Sequence, residues 1–230
     1  MRYPKTVSGT FIERPNRFIA YVEINGKKEK CHVKNTGRCK ELLIPGTRAV
    51  LAVSDNPGRS TAYDLVSVYK GGMLVNIDSQ APNKVVLESI RSIPGFEHVD
   101  EVRPEHTYGN SRIDIFARSG DTKKLLEVKG VTLEKDGTAL FPDAPTERGL
   151  KHVKELEASL EDGYEAYIMF LIQMAGPTVF SPNYDMHYEF ASAVESAHRS
   201  GVKILAYDCA VTEDRISLGS PVRVKYEDHS

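Results

Sequence analysis

The stretch RIDIFARSGDTKKLLEVK, residues 112 to 129, contains two short runs of strand-like sequence around a polar, glycine-containing turn. The pattern predicts two antiparallel strands, 112–118 and 123–129. If the two residues that flank the loop lie opposite each other, the same register places Asp114 opposite Glu127. Directly opposed residues have Cβ atoms about 4.5 to 5.5 Å apart, and like charges there are destabilising. A divalent cation between the two carboxylates would remove this repulsion.

The same hairpin brings a lysine to the two carboxylates. Side chains alternate across a strand, so Glu127 and Lys129 share a face while Val128 points the other way. We expect Asp114, Glu127 and the carbonyl oxygen of Val128 to ligate Mg²⁺ or Mn²⁺, which prefer oxygen ligands. Lys129 can then orient water or stabilise charge on a phosphate, which makes Asp114, Glu127 and Lys129 the candidate catalytic residues. The alternative is a solvated hairpin in which Arg112, Glu127 and Lys129 form salt bridges.

Helical and strand patterns alternate on both sides of this hairpin. Pro82-Asn83 begins one predicted helix, and Thr146 is the predicted N-cap of a longer one. A third helix is predicted over 187–199, with strands over 164–173 and 202–207. This order predicts a three-layer α/β domain over residues 81–230.

Before residue 81 the sequence follows the two-residue period of half-buried strands. Six strands are predicted, separated by turns such as Asn25-Gly26: 7–14, 17–24, 29–33, 48–53, 62–69 and 73–77. One short helix is predicted over 38–44. Three strands, a short helix and further strands are typical of a small oligonucleotide-binding (OB) barrel, which often binds single-stranded nucleic acid on one face. We therefore expect residues 1–80 to form an OB-fold-like domain.

The composition excludes several classes of protein. The 230 residues are 40% hydrophobic and 27% charged, which is typical of a globular chain rather than a disordered or fibrous one. The longest apolar runs fall far short of the ~20 residues of a membrane-spanning helix, and the basic N-terminus lacks the apolar stretch of a secretory signal. Three cysteines at unpatterned spacing favour a reducing compartment. We expect a cytoplasmic protein without membrane association.

The near-neutral total hides an uneven distribution of charge. Residues 1–80 hold 13 lysines and arginines against 7 aspartates and glutamates, a net charge of +6. The remaining residues hold 17 against 25, a net charge of −8. A basic first domain suits a polyanion and an acidic second domain can gather cations, although random surface charge is an equally good explanation of this asymmetry alone.

Six motifs, in this order, resemble the sugar fermentation stimulation protein A (SfsA) family along nearly the whole chain: RPNRF (14–18), NTGR (35–38), GNSRID (109–114), EVK (127–129), FPDAPTERGLKH (141–152) and GV (201–202). The resemblance implies an OB-type barrel followed by a domain like the PD-(D/E)XK nucleases, with Asp114, Glu127 and Lys129 on the nuclease core. Ile113 stands where the superfamily's name has proline, a position that contributes no ligand. The resemblance also implies non-specific DNA binding and a regulatory role in maltose metabolism.

Seven residues are predicted to contact DNA: Arg14, Arg17, Asn35 and Arg38 on the barrel, and Arg148, Lys151 and His152 on the polar side of the Thr146 helix. Contacts of this kind go to backbone phosphates and carry no sequence information. For the helix, the alternative is a solvated face with Lys151 paired to Glu155.

Two functions remain open at this point. The first is a non-specific DNA-binding protein with a Mg²⁺-dependent nuclease-like site. The second is a non-catalytic DNA-binding regulatory factor, which keeps the fold only for its groove. A fold shared with nucleases does not establish cleavage.

Overall fold

The computed structural model describes residues 1–35, 37–56 and 58–227. The first part of the chain folds into a barrel of strands β1 (Thr6–Glu13), β2 (Ile19–Ile24), β3 (Lys27–Val33), β4 (Arg48–Val53) and β5 (Tyr63–Lys70), extended by β6 (Met73–Asn76). The sheet order is β3-β2-β1-β4-β5-β6, and a parallel pairing of β3 with β5 closes the barrel. The OB-type fold predicted from the strand pattern is confirmed.

The predicted short helix over 38–44 is wrong. Residues 40–42 form a turn, in which the backbone N–H groups of Leu42 and Leu43 both donate to the carbonyl of Cys39. Cys39 has a φ of 45°, which is not a helical conformation, and Pro45 prevents the turn from being extended. At the other predicted turn, Asn25 and Gly26 both take positive φ, as a tight hairpin between β2 and β3 requires.

The rest of the chain forms a mixed α/β domain. Its helices are α1 (Ala81–Glu88), α2 (Glu147–Ser159) and α3 (Tyr188–Ser200); its strands are β7 (Glu101–Tyr108), β8 (Ser111–Ser119), β9 (Thr122–Val131), β10 (Leu133–Lys135), β11 (Thr138–Phe141), β12 (Tyr164–Ile172), β13 (Val179–Pro182), β14 (Lys203–Thr212), β15 (Arg215–Pro221) and β16 (Arg223–Val224). A six-stranded sheet has the order β15-β14-β12-β9-β8-β7, with β12 parallel to both β9 and β14. A four-stranded sheet, β10-β11-β13-β16, lies beside it.

The helices cover opposite faces of the six-stranded sheet. Leu125 of β9 belongs to the buried cluster that includes Val153 and Leu156 of α2, whereas Leu126 belongs to the cluster that includes Val85 of α1. Alternation along β9 therefore directs odd-numbered side chains toward α2 and even-numbered ones toward α1. This decides which helix meets Glu127.

Local sequence explains where these helices begin and end. The hydroxyl of Thr146 accepts a hydrogen bond from the N–H of Gly149 at 3.1 Å, which confirms Thr146 as the N-cap of α2. Gly201 ends α3 with a φ of 116°.

A buried polar network joins the two domains. The amide nitrogen of Gln173, just after β12, donates to Asn76 Oδ1 at 2.9 Å and to the carbonyl of Asp78 at 3.1 Å. The amide of Asn76 in turn donates to the hydroxyl of Tyr3. Gln173, Asn76 and Asp78 are at most 2% exposed. Because water cannot replace these hydrogen bonds, breaking one of them would leave a buried polar group unsatisfied.

Cys31, Cys39 and Cys209 are buried and free of disulfides. Within the described part of the chain, no helix is both long and apolar enough to cross a bilayer.

Candidate active site

The β8–β9 hairpin has the predicted register, with Arg118 opposite Lys123 and pairing that continues to Ile115 opposite Leu126. The backbone ladder ends there, one residue before Asp114. Beyond it, Asp114 Oδ2 accepts a hydrogen bond from the backbone N–H of Val128 at 2.8 Å. This side-chain hydrogen bond thus stands where the next backbone pair of the ladder would be, and it holds Asp114 beside Glu127.

Glu127 is the centre of the site. Its side chain is 3% exposed, and its Oε1 atom accepts from Lys129 Nζ at 2.6 Å and contacts Nδ1 of His152. Its Oε2 atom is buried and has no hydrogen-bond partner among the described residues. Burial pushes the pKa of Glu127 upward, but the hydrogen bond from His152 and the charge of Lys129 outweigh it and hold that pKa below its ordinary value.

Asp114 has the opposite electrostatic balance. Its Oδ1 atom accepts from Asn83 Nδ2 at 2.8 Å, which would lower its pKa, as does the bond from Val128. Burial and then the charge of Glu127 outweigh these bonds, so the pKa of Asp114 is raised. The two carboxylates therefore repel each other, as the predicted register requires.

The arrangement fits a hydrated divalent cation. A buried carboxylate oxygen without a donor, such as Glu127 Oε2, is costly unless a cation or water completes it. Asp114 and the peptide of Val128 lie next to it, and all three supply hard oxygens. Among the residues that the structure describes, no group of three or more His, Cys, Asp or Glu side chains could hold a metal by itself. Water must fill the remaining positions, which is the usual state of protein-bound Mg²⁺.

His152 corrects a prediction from the sequence. It is not on the exposed face of α2 with Arg148 and Lys151; it is 4% exposed and points at Glu127. Its position, three residues after the buried Gly149, places it on the sheet-facing side of the helix. Arg148 is exposed, and its Nε atom donates to Nε2 of His152 at 3.4 Å.

Lys151 is exposed and is held locally. Its Nζ atom donates to the carbonyl of Asn110 at 2.9 Å and lies 3.7 Å from a carboxylate oxygen of Glu155. The pairing with Glu155 that the sequence offered as an alternative is therefore present. A phosphate contact by Lys151 stays a prediction.

Two of the barrel residues predicted to bind DNA are held within their own loop. The Arg14 guanidinium donates to four backbone carbonyls, those of Arg17, Asn35, Gly37 and Arg38, at 2.5 to 3.1 Å. The Asn35 side chain accepts from the N–H of Gly37 and donates to the carbonyl of Ile77. Both side chains therefore help to shape this loop, and a DNA contact by either one stays a prediction. Arg17 and Arg38 remain exposed beside it.

Asn83 was not predicted as a site residue. It lies at the start of α1, and its contact with Asp114 spans 31 positions of sequence. Its only sequence signal is the adjacent Pro82, which places it in the first turn of a helix. The acidic residue of the same helix, Glu88, is exposed and pairs with the N-terminal amino group.

Fold and site together define a two-domain protein with an OB barrel joined to an α/β domain that carries a carboxylate and lysine hairpin. Residues 12–77 match the family model for the SfsA N-terminal OB domain, and residues 80–215 match that for the sugar fermentation stimulation protein RE domain. The chain therefore belongs to the sugar fermentation stimulation protein family.

Relatives cover the whole chain. A sugar fermentation stimulation protein homolog of Ruminiclostridium cellulolyticum is 54% identical over 98% of this chain and 100% of its own length. A homolog of Desulfitobacterium hafniense is 52% identical over 98% of each chain. A solved structure of Pyrococcus furiosus SfsA in complex with Ca²⁺ is 26% identical, has a TM-score of 0.87 and covers 98% of each chain.

Proposed function

We propose that this protein binds DNA without sequence specificity and that its second domain hydrolyses phosphodiester bonds with the help of Mg²⁺ or Mn²⁺. The observation that carries the proposal is the unpartnered Oε2 atom of Glu127, buried beside Asp114 and Lys129. Pure binding gains nothing from two repelling carboxylates in a buried site, whereas a metal-dependent hydrolase needs them. The relative solved in complex with Ca²⁺ supports the proposal, since Ca²⁺ and Mg²⁺ both prefer oxygen ligands.

Each side chain has a part in the proposed reaction. Asp114 and Glu127, with the carbonyl of Val128, would hold the cation, which when bound polarises the phosphate and lowers the pKa of water. Lys129 is the only cation of the hairpin face that touches Glu127, and it can place the attacking water or stabilise charge on the phosphate oxygens. Water adds to phosphorus as the bond from phosphorus to one bridging oxygen breaks, and the proton lost by the water is balanced by protonation of the leaving oxygen, which yields a phosphate monoester and a hydroxyl end.

DNA binding would rest on exposed cations from both domains. Arg17 and Arg38 extend from the barrel, and Arg148 and Lys151 extend from α2 next to the hairpin. Exposed arginine and lysine bind phosphates irrespective of base, so this set predicts affinity without sequence preference.

A non-catalytic DNA-binding regulatory factor, acting in maltose or other sugar metabolism, is the second candidate. One observation favours it: both oxygens of Asp114 are already hydrogen-bonded, to Asn83 and to Val128, as in a structural carboxylate. A purely structural role would leave the domain indifferent to divalent cations.

The deciding experiment incubates the pure protein with labelled linear, circular and single-stranded DNA in Mg²⁺, Mn²⁺ or EDTA. We expect cleavage only with a divalent cation, and none from Glu127→Gln or Lys129→Ala. Glu88→Gln, which removes an exposed carboxylate of α1, is the matched control and should cleave normally. DNA binding without cleavage by the wild type in any metal would favour the regulatory factor.

A further inference from the structure

Two adjoining pockets lie along the seam between the domains. The outer pocket, of about 680 Å³, is formed mainly by the β1–β2 and β3–β4 loops of the barrel. The inner pocket, of about 330 Å³, lies between the barrel and the α/β domain. Both are lined by Gly37, Ala144 and Pro145, so they share a wall, and the two together are called the seam groove.

The outer pocket is cationic. Arg17, Arg38 and Lys40 line it with exposed side chains, in addition to the internally bonded Arg14. Its one lining carboxylate, Glu13, is paired with Lys28 at 2.8 Å. Such a surface suits the phosphates of a polynucleotide backbone.

An exposed aromatic side chain follows one of these cations in the sequence of the β1–β2 loop. Phe18 directly follows Arg17 and is 56% exposed, although an apolar ring of this size is normally buried. Cations interleaved with exposed aromatic rings are the usual means by which OB domains hold single strands, because every base can stack on a ring.

The inner pocket has a different chemistry. It is lined by neutral polar and aromatic side chains, including Thr132, Phe141 and Gln173, and by Asp143. Burial raises the pKa of Asp143. Its carboxyl group can also accept a hydrogen bond from the amino group of a base. The pocket therefore suits a nucleobase better than a phosphate.

The inner pocket lies beside the hairpin strand that carries the candidate active site. Gly130, which lines the inner pocket, directly follows Lys129. Pro82, on the same wall, directly precedes Asn83, whose amide donates to Asp114. Among the described residues, Asp114, Glu127 and Lys129 themselves do not line the pocket, so the groove adjoins the hairpin and does not include its side chains.

The volume of the inner pocket favours single-stranded over double-stranded nucleic acid. The inner volume is at the lower end of the range for small-molecule pockets, about 300 to 1,000 Å³, which is suited to one nucleoside. A base that is paired and stacked in a duplex cannot enter it without being extruded, which costs free energy. We propose that the seam groove binds single-stranded DNA, with phosphates in the outer pocket and one unpaired base in the inner pocket. This inference rests on the proposed function and specifies its substrate as a single strand.

A substitution that fills part of the groove tests the inference without changing any residue of the hairpin. Ala144 lines both pockets, so the bulky side chain of Ala144→Trp would occupy space in the groove where the two pockets adjoin. Ala158→Trp, on an exposed position of α2 outside the groove, is the matched control. The probes are a fluorescent 20-nucleotide strand and the blunt duplex of the same sequence, in EDTA, with fluorescence anisotropy as the readout and thermal unfolding as a check on folding.

We expect the wild type to bind the single strand at least about tenfold more tightly than the duplex, because only the single strand seats a base. Ala144→Trp should lose this preference, and Ala158→Trp should retain it. If the tryptophan variant unfolds, Arg17→Ala with Lys40→Ala replaces it, since both side chains are exposed, and should weaken single-strand binding by a similar factor.

Four outcomes would overturn the inference. Equal wild-type affinity for both forms, or an unchanged single-strand affinity in the plugged and double variants, would reject the groove and leave the DNA-binding proposal standing. Tighter binding of the equivalent RNA strand would reject DNA as the ligand. Absence of binding to either DNA form at low salt would reject the proposed function itself.

Discussion

Nδ1 of His152 lies against Oε1 of Glu127, while the other ring nitrogen of the same histidine accepts from Arg148. The Nε–H of Arg148 can only donate, so Nε2 of His152 accepts and the N–H of the ring on Nδ1 faces Oε1 of Glu127. The histidine thereby holds Oε1 of Glu127, while Oε2 has no hydrogen-bond partner among the residues that the structure describes. We infer that His152 is a positioning residue for the candidate metal site.

The two amide substitutions at His152 should therefore behave differently. His152→Asn keeps an N–H donor near the position of Nδ1, whereas His152→Gln places its amide near Nε2. Loss of such an orienting partner typically costs about 10- to 100-fold in metal affinity. We expect Mn²⁺ affinity, measured by calorimetry, to fall by that factor in His152→Gln and to be largely retained in His152→Asn. Equal losses in both variants would mean that His152 acts only by filling space.

Removing Asp114 should destabilise the metal-free fold. From the hairpin register alone, relief of charge repulsion would make Asp114→Ala neutral or stabilising. The structure changes this expectation, because the substitution strands the N–H of Val128 and the amide of Asn83. We expect the free energy of unfolding, measured with urea, to fall by about 1 to 3 kcal/mol. Asn83→Ala, which removes the donor but keeps the carboxylate, separates the two contributions.

Acid should destabilise the barrel through Asp64. Burial pushes the pKa of this carboxyl upward, but hydrogen bonds from Arg59 and Lys34 outweigh it and lower the pKa to about 2, from an ordinary value of 3.8. A pKa lower in the folded than in the unfolded state adds stability above pH ~4, and that stability is lost as pH falls toward 2. The contribution is about 2 kcal/mol.

Urea unfolding at pH 7, 4 and 2.5 checks this prediction. The Asp64→Asn variant should be less stable than the wild type at pH 7, and the difference should shrink as the pH falls. A constant difference across this range would show that the carboxylate charge of Asp64 does not contribute.

The exposed cations of α2 should affect DNA binding uniformly across sequences. Arg148→Ala combined with Lys151→Ala removes two predicted phosphate contacts, so the slope of log affinity against log salt should decrease by about 2. Arg199→Ala, at the end of α3, removes an exposed charge elsewhere and serves as the control. An unchanged slope in the double variant would mean that Lys151 does not contact phosphate and only makes its contacts with Glu155 and Asn110.

The sequence correctly predicts those parts of the fold that depend only on residues close together in the chain. The hairpin register followed from a short turn and alternation, and the α2 cap followed from Thr146. Strand β7 was missed, because its sequence EVRPEHTY contains Pro104 and lacks alternation, which an edge strand tolerates.

The contacts at the site that the sequence did not reveal have a common cause. Arg14 and Asn35 have the composition of a DNA-binding loop, but their partners are backbone carbonyls and N–H groups that no side-chain pattern reveals. His152 has the sequence environment of a polar helix face, yet its partner, Glu127, is 25 positions away and is brought to it only by the packing of α2 on the sheet. Contacts of this kind become visible only when the tertiary structure is known.

The bonds from Gln173 to Asn76 and Asp78 couple the two domains mechanically. β12 ends at Ile172, just before Gln173, and pairs with β9 from Tyr164 to Ile172, so the glutamine is tied to the strand that carries the candidate catalytic residues. A displacement of the barrel relative to the α/β domain would have to break these buried hydrogen bonds, which opposes hinge motion at the seam.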